Sequence, residues 1–310
     1  MRGATQILVL QSDDLFVRID LVHGGEIADL VELHGGRQLL AHSPFSTASP
    51  VTGDVDESVW LSQYRGGWQL LTPNAGNPCL VGDDYHGYHG AASNEPWTLV
   101  DVTRNCLESE WRGHGVTVCR KVQVEGPEVL VDTTWRSEEA RVPFLAVEHL
   151  ALGPELLDPS FELTLPRGRT YELSEVTGPE TPPENAPVWP TALLLDGSSE
   201  RVDRFSFDSS RSRFLAVADL PDGRAEIRNP KARLGFRLEW ETTLLANAWI
   251  WQEVRCTGGR WRGAGQQLMI EPASLPHSLG LESALRSGHA RYAEPGEELT
   301  SQVKATVLFL

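Results

Sequence analysis

Basic residues are scarce in this chain of 310 residues: 27 Lys and Arg stand against 43 Asp and Glu, a formal charge of −16. A surface that grips a phosphate backbone needs clustered cations, so nucleic acid is not an expected partner. The acidic surplus serves solubility. Cysteine is also sparse. Cys79, Cys106, Cys119 and Cys256 contain no C-x-x-C pair, which argues against a zinc knuckle and a disulfide scaffold and suits reduced, partly buried thiols. Long apolar runs are missing, since no stretch approaches the roughly 18 residues of a membrane helix. The opening "MRGATQILVLQSDDLFVRID" lacks the apolar core and cleavage site of a secretory signal. The expectation is a cytoplasmic protein with no membrane partner.

A sustained helical period is absent too, and strict alternation takes its place. In "ARLGFRLEW" Leu234, Phe236, Leu238 and Trp240 share one face. In "EVLVDTTW" Val129, Val131, Thr133 and Trp135 do the same, as do Val303, Ala305, Val307 and Phe309 in "SQVKATVLFL". Period two predicts half-buried antiparallel strands. Similar runs occur at "LFVRIDL", "EIADLVEL", "TLVDVT", "VTVCRKVQV", "PFLAVEHLAL", "FELTLP", "RFLAVADL", "NAWIWQEV" and "QQLMIEP", punctuated by 28 Gly and 20 Pro. The predicted class is all-β, a large antiparallel β-sandwich forming a single domain over residues 1–310. The Pro-rich stretch 175–200 is either a domain linker or a surface excursion, and the like character of its flanks favours the excursion.

Phosphate-loop, H-E-x-x-H and G-x-S-x-G motifs are all lacking. "GGRWRGAG" (258–265) is glycine-rich but opens no helix, so it reads as a hairpin. The remaining chemistry lies in three places. In "FLAVEHLAL", His149 ends an apolar strand face, where it is either a satisfied core histidine or a proton donor. In "QQLMIEP", Glu271 precedes Pro272, which should finish the ladder there, leaving either a turn residue or a carboxylate placed as a general base. In "DDYHGYHGAASNEPW", His86 and His89 lie within four positions. With Cys79 they lack a well-spaced fourth partner, so no metal is expected. Ten Trp, among them Trp60, Trp68, Trp97, Trp249, Trp251 and Trp261, offer either core or flat faces for a sugar ring.

Taken in order, "LFVRIDLVHGGEIADLVELHGGRQLL", "GGWQLLTPNAGNP", "YHGYHGAASNEPW", "AVEHLALG" and "LMIEP" resemble the aldose 1-epimerase (galactose mutarotase-like) family over nearly the whole chain. The family's Gly-Arg…Asn-Arg run is absent, because "NAGNPCLVGDD" contains no arginine; Arg65 in "YRGGW" is the nearest basic residue. Leu150 and Ala151 stand where an aromatic usually follows the second histidine. The resemblance therefore implies a divergent member with the galactose mutarotase-like supersandwich. It implies an isomerase that interconverts the anomers of a free aldose or close derivative without metal or cofactor. Glu271 would take the anomeric proton and His149 would protonate the ring oxygen. His89 would bind the sugar, with His86 competing for that role; Asn74, Arg65 and Gln252 would bind polar groups, and Trp251 would stack on the ring. Two other readings stand beside this one. A hexose 6-phosphate 1-epimerase would need cations such as Arg65, Arg255, Arg260 and Arg262 to converge. A carbohydrate-binding sandwich would hold sugar without turning it over. The expected partner is a small sugar, and the expected state a monomer or homodimer.

Overall fold

The computed structural model describes residues 7–44, 52–174, 178–204, 207, 212–258 and 261–310. Two large sheets face each other. The first has twelve strands. Eleven run in spatial order Ile7–Gln11, Leu15–Asp20, Glu26–Glu32, Trp68–Leu71, Val147–Leu152, Gln266–Ala273, Asn247–Val254, Arg213–Ala218, Arg169–Glu172, Thr191–Leu193 and Ser199–Arg201, and Arg37–Gln38 pairs with Glu26–Glu32 beside that path. The second has eight, in the order Glu162–Thr164, Gly223–Asn229, Leu234–Trp240, Glu298–Phe309, Glu128–Arg136, Val116–Glu125, Cys106–Gly113 and Thr98–Val102. Among the described residues, the one parallel pairing in the large sheets joins Arg169–Glu172 to Thr191–Leu193, so the first sheet is mixed. The described residues hold two α-helices, Glu57–Gln63 and Leu281–Ser287.

The alternation read from the sequence is the alternation of burial. Val129, Val131, Thr133 and Trp135 are buried while their neighbours are half-exposed. Leu234, Phe236, Leu238 and Trp240 are buried likewise. Phe309 departs from its predicted burial: it still pairs with Leu234, but the strand on its other side has ended at Glu128, and the ring lies exposed, edge-on to His34. Side chains of the eight-stranded sheet meet Leu150, Leu152, Leu215, Val217, Ile250, Leu268 and Ile270 of the larger sheet in one apolar core.

The central strands of the larger sheet behave differently. All six residues of Val147–Leu152 are buried, and so is nearly all of Gln266–Ala273. Their outer face carries a second apolar cluster, in which Val147, Ala151, Trp249, Met269 and Ala273 pack under Trp60, Tyr64, Tyr88 and Leu281. A sheet covered on both faces loses the polar stripe that marks a half-exposed strand. This second layer creates an enclosed space above the sheet.

Two expectations need correction. Pro272 does not end its strand; Ala248 faces Pro272 and Asn247 faces Ala273 in continuous register with the neighbouring strand. On the other side, pairing is seen at Leu150–Ile270 and Val147–Ala273 but not between them, because Pro272 has no N–H to donate. In "PFLAVEHLAL" the strand breaks at Leu145–Ala146, and Val142–Phe144 pairs instead with Arg291–Ala293. The first three residues of the Pro-rich stretch lie outside the described residues. The rest adds two edge strands to the first sheet, and Glu180 accepts hydrogen bonds from Ser283 (2.9 Å) and Arg286 (2.7 Å).

Candidate active site

Register explains how the site is assembled. Continuing from Leu150–Ile270 and Val147–Ala273, His149 stands opposite Glu271. His149 faces Gln69 on its other side, and Glu271 faces Trp249, which faces Ala216. Residues opposite one another in antiparallel strands project to the same face, so this row points away from the sandwich core. One step along, Phe214, Trp251 and Met269 form the next row on that face. The rows floor a cavity of about 200 Å³ lined by Glu271, His149, Trp249, Trp251, Phe214 and Glu253 from the sheet.

Its walls come from three segments above. Helix Glu57–Gln63 starts at Asp56, whose carboxylate accepts from the Val59 N–H at 2.9 Å. It delivers Trp60, and Tyr64 follows immediately, stacked on Trp60 at 5.4 Å and edge-on to His149 at 5.5 Å. The "HGYHG" turn delivers Tyr88 and His89. Its conformation is demanding, for His89 has φ 61° and Gly90 φ 74°. A Cβ on Gly90 would lie 2.4 Å from the Thr72 carbonyl oxygen. Asn77 and Ser278 complete the rim.

The electrostatics follow from burial. His149 Nε2 lies 3.9 Å from Glu271 Oε1, and both side chains are almost fully enclosed. Desolvation drives the His149 imidazolium pKa down to about 4 and holds the Glu271 carboxyl well above its usual range. Burial therefore favours the uncharged form of each group, a protonated Glu271 and a neutral His149. His149 Nδ1 has no hydrogen-bond partner. His89 is kept neutral by burial, reinforced by His149. Its Nδ1 accepts from the Gly76 N–H at 3.0 Å, which leaves the proton on Nε2 and makes that edge a donor. Three more buried polar atoms are unpartnered here, the Tyr64 hydroxyl, Trp251 Nε1 and the Ser278 hydroxyl.

Of the eight residues singled out from the sequence, Glu271, His149, His89 and Trp251 line this cavity. The other four lie elsewhere. Gln252 follows Trp251 in a strand and must point the opposite way, where its amide donates to the Val202 carbonyl at 2.9 Å. Asn74 is consumed by the scaffold: its Nδ2 donates to the Asn77 and Gly87 carbonyls, and its Oδ1 accepts from the Leu281 N–H. Arg65 pairs with Glu26 at 2.5 Å and with Asp20 at 3.6 Å, below the helix. His86 stacks on His114 beside Asp84, away from the cavity. Sequence reasoning overlooked Tyr64. Its one available signal was its place between Trp60 and the "RGGW" turn, just ahead of the segment "GGWQLLTPNAGNP".

No Lys or Arg is among the described residues lining the cavity. Arg255 is engaged with the Gln266 side chain, and Arg260 lies outside the described residues.

Comparison with known proteins agrees with this architecture. A candidate aldose 1-epimerase from Escherichia coli K12 superposes with a TM-score of 0.69 at 17% identity, covering 99% of this chain and 100% of that one. The fold is that of the galactose mutarotase-like proteins. The Slr1438 protein of Synechocystis sp. PCC 6803 gives a TM-score of 0.71 at 16% identity, covering 99% and 97%. A galactose mutarotase related enzyme of Lactobacillus acidophilus gives 0.66 at 13%, covering 97% of each chain. No family model and no curated protein matches the sequence. The galactose mutarotase-like fold is thus retained with little sequence in common. No helix among the described residues is long and apolar enough to cross a membrane.

Proposed function

We propose that the protein interconverts the anomers of a small, uncharged aldose by acid–base ring opening. The observation that carries this reading is the His149–Glu271 pair, 3.9 Å apart on the floor of an aromatic cavity. Ring opening needs a base at the anomeric hydroxyl and an acid at the ring oxygen, two atoms bonded to the same carbon. Glu271 as carboxylate takes the hydroxyl proton and the C1–O1 bond becomes a carbonyl. The C1–O5 bond breaks, and O5 receives the proton held by imidazolium His149. Rotation about C1–C2 presents the other carbonyl face, and the same steps in reverse close the ring.

The ionised pair and the neutral pair contain the same number of protons. The shift from Glu271 to His149 is internal and needs no outside donor. His89 Nε2–H and the Tyr64 hydroxyl supply hydrogen bonds to the sugar, and Trp251 offers it an apolar face. A phosphorylated sugar fits less well, since a dianion in an acidic cavity would find no cation among the described lining residues.

The test is anomer exchange by NMR on a panel of free aldoses and their 6-phosphates, for wild type and Glu271→Gln. Positioned acid–base groups contribute roughly 10²–10⁴ each in rate, and a loss of that size is expected in the variant. Equal rates would remove Glu271 from the chemistry. Sugar binding without exchange in the wild type would identify a binding protein instead.

A further inference from the structure

His86, left outside the cavity, belongs to a second cluster. The strands Cys79–Val81 and Asp84–His86 form a hairpin, and Asp84 and His86, two apart, share one of its faces. The turn after Cys106–Gly113 brings His114 against them with its ring stacked on His86 at 4.3 Å. His114 sits at φ 48°, followed by Gly115 at φ 74°, a strained position for a residue with a side chain. Each of the three offers a ligand atom within 4.8 Å of the others.

We propose that Asp84, His86 and His114 form a binding site for a divalent first-row transition ion, with zinc its representative. Two imidazoles and a carboxylate suit such an ion better than magnesium or calcium, which take oxygen ligands. Metal bonds of about 2.0–2.1 Å in tetrahedral array put ligand atoms a little over 3 Å apart. His86 Nε2 and Asp84 Oδ2, at 3.5 Å, match that spacing, while His114 Nδ1 and Asp84 Oδ2, at 2.7 Å, are at hydrogen-bond distance and would open slightly. The metal would displace the proton shared there.

Two observations set this cluster apart from an ordinary surface ion pair. First, the buried His86 ring turns its Nε2 edge toward Asp84 Oδ2 at 3.5 Å, the edge that would bind the ion. Second, His114 Nε2 is held at 2.7 Å by Asp54 Oδ2, and Asp54 in turn accepts from the Gly87 N–H. A carboxylate on the far nitrogen fixes the tautomer and aims the near nitrogen at the ion, as around protein-bound zinc. Asp84 is half-exposed, so ion entry and a solvent ligand are open. The His86–Gly87 step leads straight into the turn that presents His89. The ion would therefore clamp the hairpin, the 54–56 loop and the His114 turn beneath it.

The test uses the full chain, untagged and chelator-stripped, titrated with Co²⁺ and followed by its visible d–d bands. Stoichiometric bands that Zn²⁺ bleaches are expected. Asp84→Ala and His114→Gln should each weaken binding at least tenfold with unaltered circular dichroism. Asp54→Asn should weaken it about 10–100-fold. Absence of bands in the wild type, or less than a tenfold effect in both Asp84→Ala and His114→Gln, would overturn the proposal.

Discussion

His149 and Glu271, 122 positions apart in sequence, are cross-strand neighbours held by sheet register to 3.9 Å between Nε2 and Oε1. Neither side chain needs a loop to place it. Sites built on paired strands are held more tightly than sites on loops, and both strands here are covered on each face. The loop-borne groups, His89 and Tyr64, close over a floor that is already set.

A pH dependence follows from this pair. His149, with its pKa lowered to about 4, is neutral at pH 7 and takes up a proton only as pH falls through about 4. Below that point the pair holds two protons and lacks a base. Exchange activity should therefore fall on the acid side as pH drops through about 4. As pH rises through the raised value of Glu271, the pair loses its single proton and activity should fall again. The pH profile of kcat/KM checks both limbs. The fold should survive the acid limb, since the ion-paired carboxylates of Asp29 and Glu226 are held down to about 2.

Tyr64→Phe should separate binding from stability. The hydroxyl is buried without a partner, so removing it should leave the melting temperature unchanged or slightly higher. If that hydroxyl meets the sugar, the variant loses one hydrogen bond, worth about 0.5–1.5 kcal/mol. KM should then rise up to about tenfold with kcat little changed. Steady-state kinetics alongside thermal melting provides the check; an unchanged KM would place the hydroxyl outside the sugar's reach.

How much of this was legible beforehand depends on the face each residue occupies. Alternation in "EVLVDTTW" and "ARLGFRLEW" identified half-buried strands because one side of each meets solvent. The strands with His149 and Glu271 are buried on both sides, and there the sequence carries no face signal beyond parity. Parity alone excludes Gln252 as a companion of Trp251, an inference open to the sequence but not drawn. The fates of Asn74 and Arg65 were not legible. Each is consumed by partners distant in sequence, Leu281 for one and Glu26 for the other. His86 was paired with His89 by proximity, although a turn between them sends the rings to different places.

The strand bearing His149 is anchored from behind by Glu148, which points into the core between the sheets. Arg120 grips it with two hydrogen bonds of 2.9 and 2.8 Å, and the Trp68 indole donates a third at 2.6 Å. Both charges are sealed from solvent. Replacing one partner strands the other charge, so Glu148→Leu should cost about 3–5 kcal/mol. The double replacement Glu148→Leu with Arg120→Met should recover most of that loss. Denaturant unfolding of the three proteins measures it, and a single variant as stable as wild type would contradict the anchoring role.

Gly90 and Gly82 provide a matched comparison, because both have positive φ, 74° and 64°. A left-handed residue with a Cβ costs roughly 1–2 kcal/mol through backbone sterics alone. At Gly82 nothing lies within 4 Å of an added Cβ, so Gly82→Ala should cost that and no more. At Gly90 the Cβ would meet the Thr72 and Asn74 carbonyl oxygens at 2.4 and 2.6 Å, and neither backbone can yield without moving the turn that carries His89. Gly90→Ala should therefore lose more stability than Gly82→Ala and also lose sugar affinity, whereas Gly82→Ala keeps it. Calorimetric titration with the best aldose, run beside the melts, distinguishes a displaced His89 from a uniformly weakened fold. Equal affinities in the two variants would show that the turn's geometry does not govern binding.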